Sequence, residues 1–141
     1  MESLKVAGEL ESLDDITKYV SLAAKQAYLP KKIAYKLRLA VDEIATNIII
    51  HGYQEAGIKG DIVCHAQLNE KSLIIHLEDT GIEYDSTKKE QPDDLFKPLE
   101  TREIGGLGIY LAASGVDKFM YKRIENCNRH TFVIYRDSAN N

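Results

Sequence analysis

Leu39-Ala40-Val41-Asp42-Glu43-Ile44-Ala45-Thr46-Asn47 is the stretch on which the reading of this chain turns. It lies inside a longer periodic segment. Ile33, Leu37, Ala40, Val41, Ile44 and Ile48 recur at helical spacing from Pro30, a first-turn residue, to about His51, with Gly52 as the expected stop. Glu43 and Asn47 are four apart, so they share one face of that helix. At about 100° per residue they flank the apolar stripe rather than oppose it. A carboxylate and an amide at the border of a core can reach into a cleft while staying hydrated. An amide oxygen suits a hard cation such as Mg²⁺, and a carboxylate can accept a proton from an attacking hydroxyl. Taken alone, the pair reads more simply as an exposed Glu and a mildly awkward helical Asn, both solvated.

Working outward, residues 4–10 alternate loosely as a strand. Ser12 followed by Asp15 has the pattern of a helix N-cap with an acidic third residue. The segment after it places Leu13, Ile16, Val20, Ala23, Ala24 and Ala27 on one side of a helix. Residues 61–68 and 72–78 read as strands joined by the polar turn Asn69-Glu70-Lys71. A polar stretch over 85–104 has the length expected of a functional lid or a mobile loop. The glycine-led run Gly105-Gly106-Leu107-Gly108-Ile109-Tyr110-Leu111-Ala112 then opens a helix to about Gly115. Residues 117–124 and 130–136 read as a closing hairpin, and Asp137–Asn141 as a frayed tail. The order implies an α+β two-layer sandwich over 1–136. About three helices would cover one face of a mixed, mostly antiparallel sheet. The other face would be partly wet or a partner surface.

The 141 residues, 44% hydrophobic and 28% charged, fit one soluble domain with a core of its own. A net charge of −4 with pI near 5.6 argues against general nucleic-acid binding. No apolar run approaches the roughly 20 residues of a membrane span. Met1-Glu2-Ser3-Leu4-Lys5 lacks the basic-then-apolar pattern of a secretion signal, so a cytoplasmic protein is expected. Cys64 and Cys127 make no disulfide framework.

Asp79-Thr80-Gly81 falls where a strand runs out. An aspartate there can accept a hydrogen bond from the exocyclic amine of adenine, a bond worth about 1.5–3 kcal/mol with a charged acceptor. Guanine presents a carbonyl at the same position. Gly81 permits close approach, although an Asp/Gly pair also makes ordinary turns. Gly105, Gly106 and Gly108 let backbone wrap an anion at a helix start. The chain has no G-x-x-x-x-G-K-[ST], and Leu111 stands where a dinucleotide fingerprint needs its third glycine. Arg102 is a candidate for a terminal phosphate or an ordinary surface arginine.

The order helix carboxylate/amide, strand-end aspartate/glycine, glycine-led helix resembles the N-box, G1-box and G2-box of the Bergerat-fold (GHKL) ATPases. The closer likeness is to RsbW/SpoIIAB-type anti-sigma factor serine kinases. It is carried by Leu39 to Asn47 with His51-Gly52-Tyr53, Glu78 to Asp85, and Gly105 to Leu111 with Asp117. Gly8 to Leu13 and Asn128 fit as well. The resemblance implies Glu43 as general base, Asn47 as Mg²⁺ ligand and Asp79 as adenine reader with Gly81 beside it. It also implies that Gly105, Gly106, Leu107 and Gly108 wrap the phosphates of ATP and that residues 86–104 form a lid. Implied partners are a STAS-domain antagonist, phosphorylated on serine, and a sigma factor; a homodimer is expected on the same ground.

Two departures stand out. Relatives often carry lysine three residues after the N-box asparagine, where this chain has Ile50, and Arg102 sits one residue further from the glycines than the closest pattern. Charge neutralisation would then rest on Mg²⁺, Arg102 and helix N-termini. A non-catalytic module whose partner affinity follows ATP or ADP is the alternative, and a detached histidine-kinase-like domain a third reading. His51 either touches a phosphate or packs and caps. His65, His76 and His130 read as strand residues. Cys64 and His65 are adjacent on a strand, hence on opposite faces, which disfavours zinc. The eight tyrosines lack the spacing of a base-stacking platform.

Overall fold

A computed structural model describes residues 1–83 and 115–136. Strand β1 is Leu4–Ala7, and a 3-10 turn over Leu10–Ser12 leads into helix α1, Leu13–Gln26. Ile16, Val20, Ala23 and Ala24 form its buried stripe, with Asp14 and Asp15 at the start and Lys25 at the end complementing the helix dipole. Ser12 does not cap. Its backbone is already right-handed helical as the last residue of the 3-10 turn, and a capping side chain needs an extended backbone to reach back. The helix closes in a Schellman arrangement with Tyr28 in the left-handed region at φ 56°.

Helix α2, Lys31–Asn47, starts after Pro30, whose carbonyl accepts the Ala34 N–H. It buries Leu37, Ala40, Val41, Ile44, Ala45 and Asn47. Ile33, expected in the stripe, is 37% exposed, and burial along α2 begins only at Leu37. Gly52 does not stop the helix. The chain continues through a π-helical segment, Ile48–Gln54, in which the Glu55 N–H reaches the Ile50 carbonyl. The stop is Gly57 at φ 67°, where the N–H groups of Gly57 and Ile58 return to the carbonyls of Gln54 and Tyr53. A side chain at Gly57 would meet open space, so its backbone angle is what calls for glycine.

Strands β2 (Asp61–Leu68), β3 (Ser72–Asp79), β4 (Lys118–Ile124) and β5 (Cys127–Tyr135) complete a five-stranded sheet of order β1-β2-β3-β5-β4. Every pairing is antiparallel. Asn69 sets the first hairpin, its side-chain oxygen taking the N–H groups of Lys71 and Ser72 at 2.8 Å each. The last hairpin turns on Glu125-Asn126 alone, so β5 begins earlier than the sequence suggested and includes Asn128.

The core lies between the helices and one face of the sheet. Ile62, Cys64, Leu73, Ile75, Leu77, Phe132 and Ile134 meet the stripes of α1 and α2. Each large side chain so buried contributes about 1.5–3 kcal/mol. The opposite face carries His65, His76, Glu78 and Arg129, with a Glu78–Arg129 ion pair at 3.0 Å. No helix among the described residues is long and apolar enough to cross a membrane. The lid over 86–104, the helix from Gly105, Arg102 and the tail 137–141 lie outside the described residues.

Candidate functional site

Alternation along β3 turns Leu73, Ile75, Leu77 and Asp79 towards the helices. The last of these core-facing positions is a carboxylate, 3% exposed. Asp79 Oδ1 accepts the Gly81 N–H at 2.9 Å and Asn128 Nδ2 at 3.0 Å. Asp79 Oδ2 is buried with no hydrogen-bond partner among the described residues. A buried acceptor left unmatched carries a desolvation cost that a ligand N–H donor would remove. Burial accordingly pushes the Asp79 carboxyl above the ordinary aspartate range, against the opposing pull of Asn128, the Gly81 N–H and the Arg123 charge.

Asn128 stands directly across from Asp79 in the β3–β5 register. Besides Asp79, its amide donates to the carbonyls of Gly81 at 3.2 Å and Ile82 at 2.9 Å. Its oxygen accepts Tyr121 Oη at 2.5 Å and Arg123 Nη1 at 2.9 Å. One side chain thus holds both the Asp79 carboxylate and the backbone turn that follows it.

On the helical layer, Asn47 is buried and its Nδ2 donates to the Glu43 main-chain carbonyl at 2.9 Å. Glu43 is half-buried, and burial raises its carboxyl pKa, with the Asn47 amide pulling the other way. The π-helical segment then carries the chain to Asp79. A Cβ on Gly52 would stand 4.0 Å from Asp79 Oδ1, and the Gly52 carbonyl accepts the Ile82 N–H at 3.2 Å. The helix bearing Glu43 and Asn47 and the strand end bearing Asp79 therefore meet through Gly52.

Residues 6–134 match the family of histidine kinase-like ATPase domains. The chain belongs to that family. Over 84 residues it is 34% identical to the serine-protein kinase RsbW of Bacillus thuringiensis (strain Al Hakam) and to that of Bacillus cereus (strain 03BB102). Those alignments take in 57% of this chain and 51% of each relative, so the match spans about half the length of the curated relatives. Among solved structures, the histidine kinase domain of the Erythrobacter litoralis blue-light activated kinase superposes with TM-score 0.53 at 16% identity, covering 86% of this chain and 58% of that one. The Acinetobacter baumannii histidine kinase AdeS gives 0.51 at 14%, covering 97% and 70%. At such identities the likeness is one of fold.

Within this ATPase-family fold, the sequence-derived candidates fall as follows. Asp79 and Gly81 lie at the end of β3 beside Gly52, while Glu43 and Asn47 lie on α2, which runs into the π-helical segment that carries Gly52. A Cβ on Gly81 would fall 2.6 Å from the Gly52 oxygen, so packing against backbone already requires glycine there. His51 Nδ1 lies 2.7 Å from the Glu55 carboxylate, one turn along its own helical segment. Arg102, Gly105, Gly106, Leu107 and Gly108 lie outside the described residues. Cys64 faces the core and His65 the other side of the sheet, where its ring stacks on His76. The sequence singled out neither Tyr53, Thr80, Tyr121 nor Arg123 as supports of Asp79. Asn128 read as part of the last turn, so its place opposite Asp79 in β5 gave no signal in the sequence.

Proposed function

We propose that the chain binds ATP with Mg²⁺ and transfers the γ-phosphoryl group to a serine or threonine hydroxyl. The acceptor is a STAS-domain antagonist in a partner-switching, anti-sigma type of system. The observation that carries this reading is the buried, unmatched Oδ2 of Asp79, aligned by Asn128 and suited to the exocyclic amine of adenine. The RsbW relatives, named as serine-protein kinases, support the choice of acceptor.

Glu43 takes the hydroxyl proton as that oxygen bonds to the γ-phosphorus and the bond to the β-phosphate oxygen breaks, leaving ADP. Burial, by raising its pKa, makes Glu43 a stronger base than an exposed glutamate. Asn47, through its side-chain oxygen, would hold Mg²⁺, which supplies charge neutralisation at the phosphates. Gly105, Gly106, Leu107 and Gly108 would wrap the phosphates, and Arg102 would approach the terminal one.

The test is incubation with labelled ATP and candidate STAS proteins, with Glu43→Ala alongside. The expected result is phosphoserine or phosphothreonine with wild type, and retained ATP binding without transfer in the variant. Transfer at the wild-type rate by Glu43→Ala removes the base assignment. Ile50, at the position where a lysine is usual, favours one second reading: a nucleotide-responsive binding module. Partner binding that follows ATP or ADP without any phosphorylation would select it.

A further inference from the structure

Tyr53 is large, buried to 1% exposure and aromatic, which by itself makes it an ordinary core residue. Its surroundings are not ordinary. A Cβ on Gly8 would come within 2.5 and 2.6 Å of the ring carbons Cδ2 and Cε2. A Cβ on Gly60 would come within 2.8 Å of Cε1 and of Thr80 Oγ1, and 3.0 Å of the hydroxyl. The two glycines are themselves joined, the Gly8 N–H donating to the Gly60 carbonyl at 2.8 Å. The ring is therefore clasped between two strips of bare backbone, and the hydroxyl has little freedom to move.

That hydroxyl donates its one hydrogen to the Asp61 carbonyl at 2.6 Å. Its lone pairs face Thr80, accepting the backbone N–H at 2.9 Å, with Thr80 Oγ1 at 3.4 Å. Thr80 is the residue between Asp79 and Gly81. Gly52, the neighbour of Tyr53, grips the other end of the same turn through its carbonyl and the Ile82 N–H. Two consecutive residues of the π-helical segment thus hold the turn whose first residue offers the buried carboxylate.

We infer that Tyr53 is a positioning residue for recognition of the nucleotide base, acting through the Thr80 amide on the carboxylate of Asp79. The inference rests on the reading of Asp79 given above as the base reader. Tyr53→Phe keeps the ring in its clasp and deletes the bond, leaving the Thr80 N–H and Asp61 C=O without this partner. The effect falls on the base end of the ligand, not on its phosphates.

The experiment is calorimetric titration of wild type, Tyr53→Phe, Asp79→Asn and the double variant with ATP and with inorganic tripolyphosphate, Mg²⁺ present throughout. The expected result is a loss of ATP affinity of about fivefold or more in Tyr53→Phe, with tripolyphosphate affinity unchanged. In the Asp79→Asn background the tyrosine substitution adds no further loss, since the path runs through Asp79. Equal ATP affinity in wild type and Tyr53→Phe, the same loss for both ligands, or a full additional loss in the double variant overturns the inference alone. Wild type that binds no ATP overturns the base-reader assignment and this inference with it. Should Tyr53→Phe fold poorly, amide exchange in wild type serves instead. Exchange at Thr80 slows with ATP more than with tripolyphosphate, and exchange indifferent to the base contradicts the role.

Discussion

Asn128 Nδ2 lies 3.0 Å from Asp79 Oδ1, across the β3–β5 register from it. The same amide reaches the carbonyls of Gly81 and Ile82, so its orientation is over-determined. Asn128 cannot be shortened without leaving several buried groups without a partner. Asn128→Ala is expected to lose about 2–3 kcal/mol of unfolding free energy, measured by urea denaturation with an unchanged m-value. A loss below about 0.5 kcal/mol would mean that these bonds do not hold the turn.

Asp79 itself should behave in the opposite way. Burial raises its pKa from the ordinary value of 3.8, so the folded state holds the proton more tightly than the unfolded chain. The unfolded state then binds fewer protons through this window, and by linkage stability falls as pH rises from near 3.8 through the raised value. Asp79→Asn removes that titration. Free of ligand at pH 7, the variant is expected to melt no lower than wild type while losing ATP affinity at least about tenfold. Melting curves across pH 4–7 would show the gap between the two proteins widening in the variant's favour. A gap that narrows as pH rises would reverse the sign.

The glycines separate two reasons for the residue. Gly81→Ala drives a Cβ to within 2.6 Å of the Gly52 oxygen, and the backbone must yield. A cost of about 1–3 kcal/mol is expected, with ATP binding weakened because the turn shifts. Gly57→Ala has open space but a φ of 67°, and should cost about 1 kcal/mol while leaving ATP affinity untouched. Chemical denaturation and titration of both variants check the contrast. Equal effects on binding would dissolve the distinction.

The helices and strands were legible because their apolar residues keep strict periods. Leu37, Ala40, Val41 and Ile44 mark α2, and Leu73, Ile75 and Leu77 mark β3. Element ends were less so. Ser12 has the composition of a cap but sits in a 3-10 turn, and Gly52 looks like a stop but lies inside the π-helical segment, where a Cβ would meet only ordinary contacts. Glu43, Asn47 and Asp79 could be named as candidates because the chemistry they could carry shows in residue type and spacing. Their supports could not. Tyr53 reaches Thr80, and Arg123 reaches Asn128, through contacts that exist only once the π-helical segment, β3, β4 and β5 have assembled. Residue type alone made Tyr53 one tyrosine among eight.

Titration of the purified protein with ATP and with GTP in the presence of Mg²⁺ puts the role of Asp79 to its most direct trial. A carboxylate facing the exocyclic position accepts from the amine of adenine and opposes the carbonyl of guanine. ATP is expected to bind at least about tenfold more tightly than GTP, and Asp79→Asn to erase most of that preference. Equal affinity for the two nucleotides in wild type, or an undiminished preference in Asp79→Asn, would contradict it.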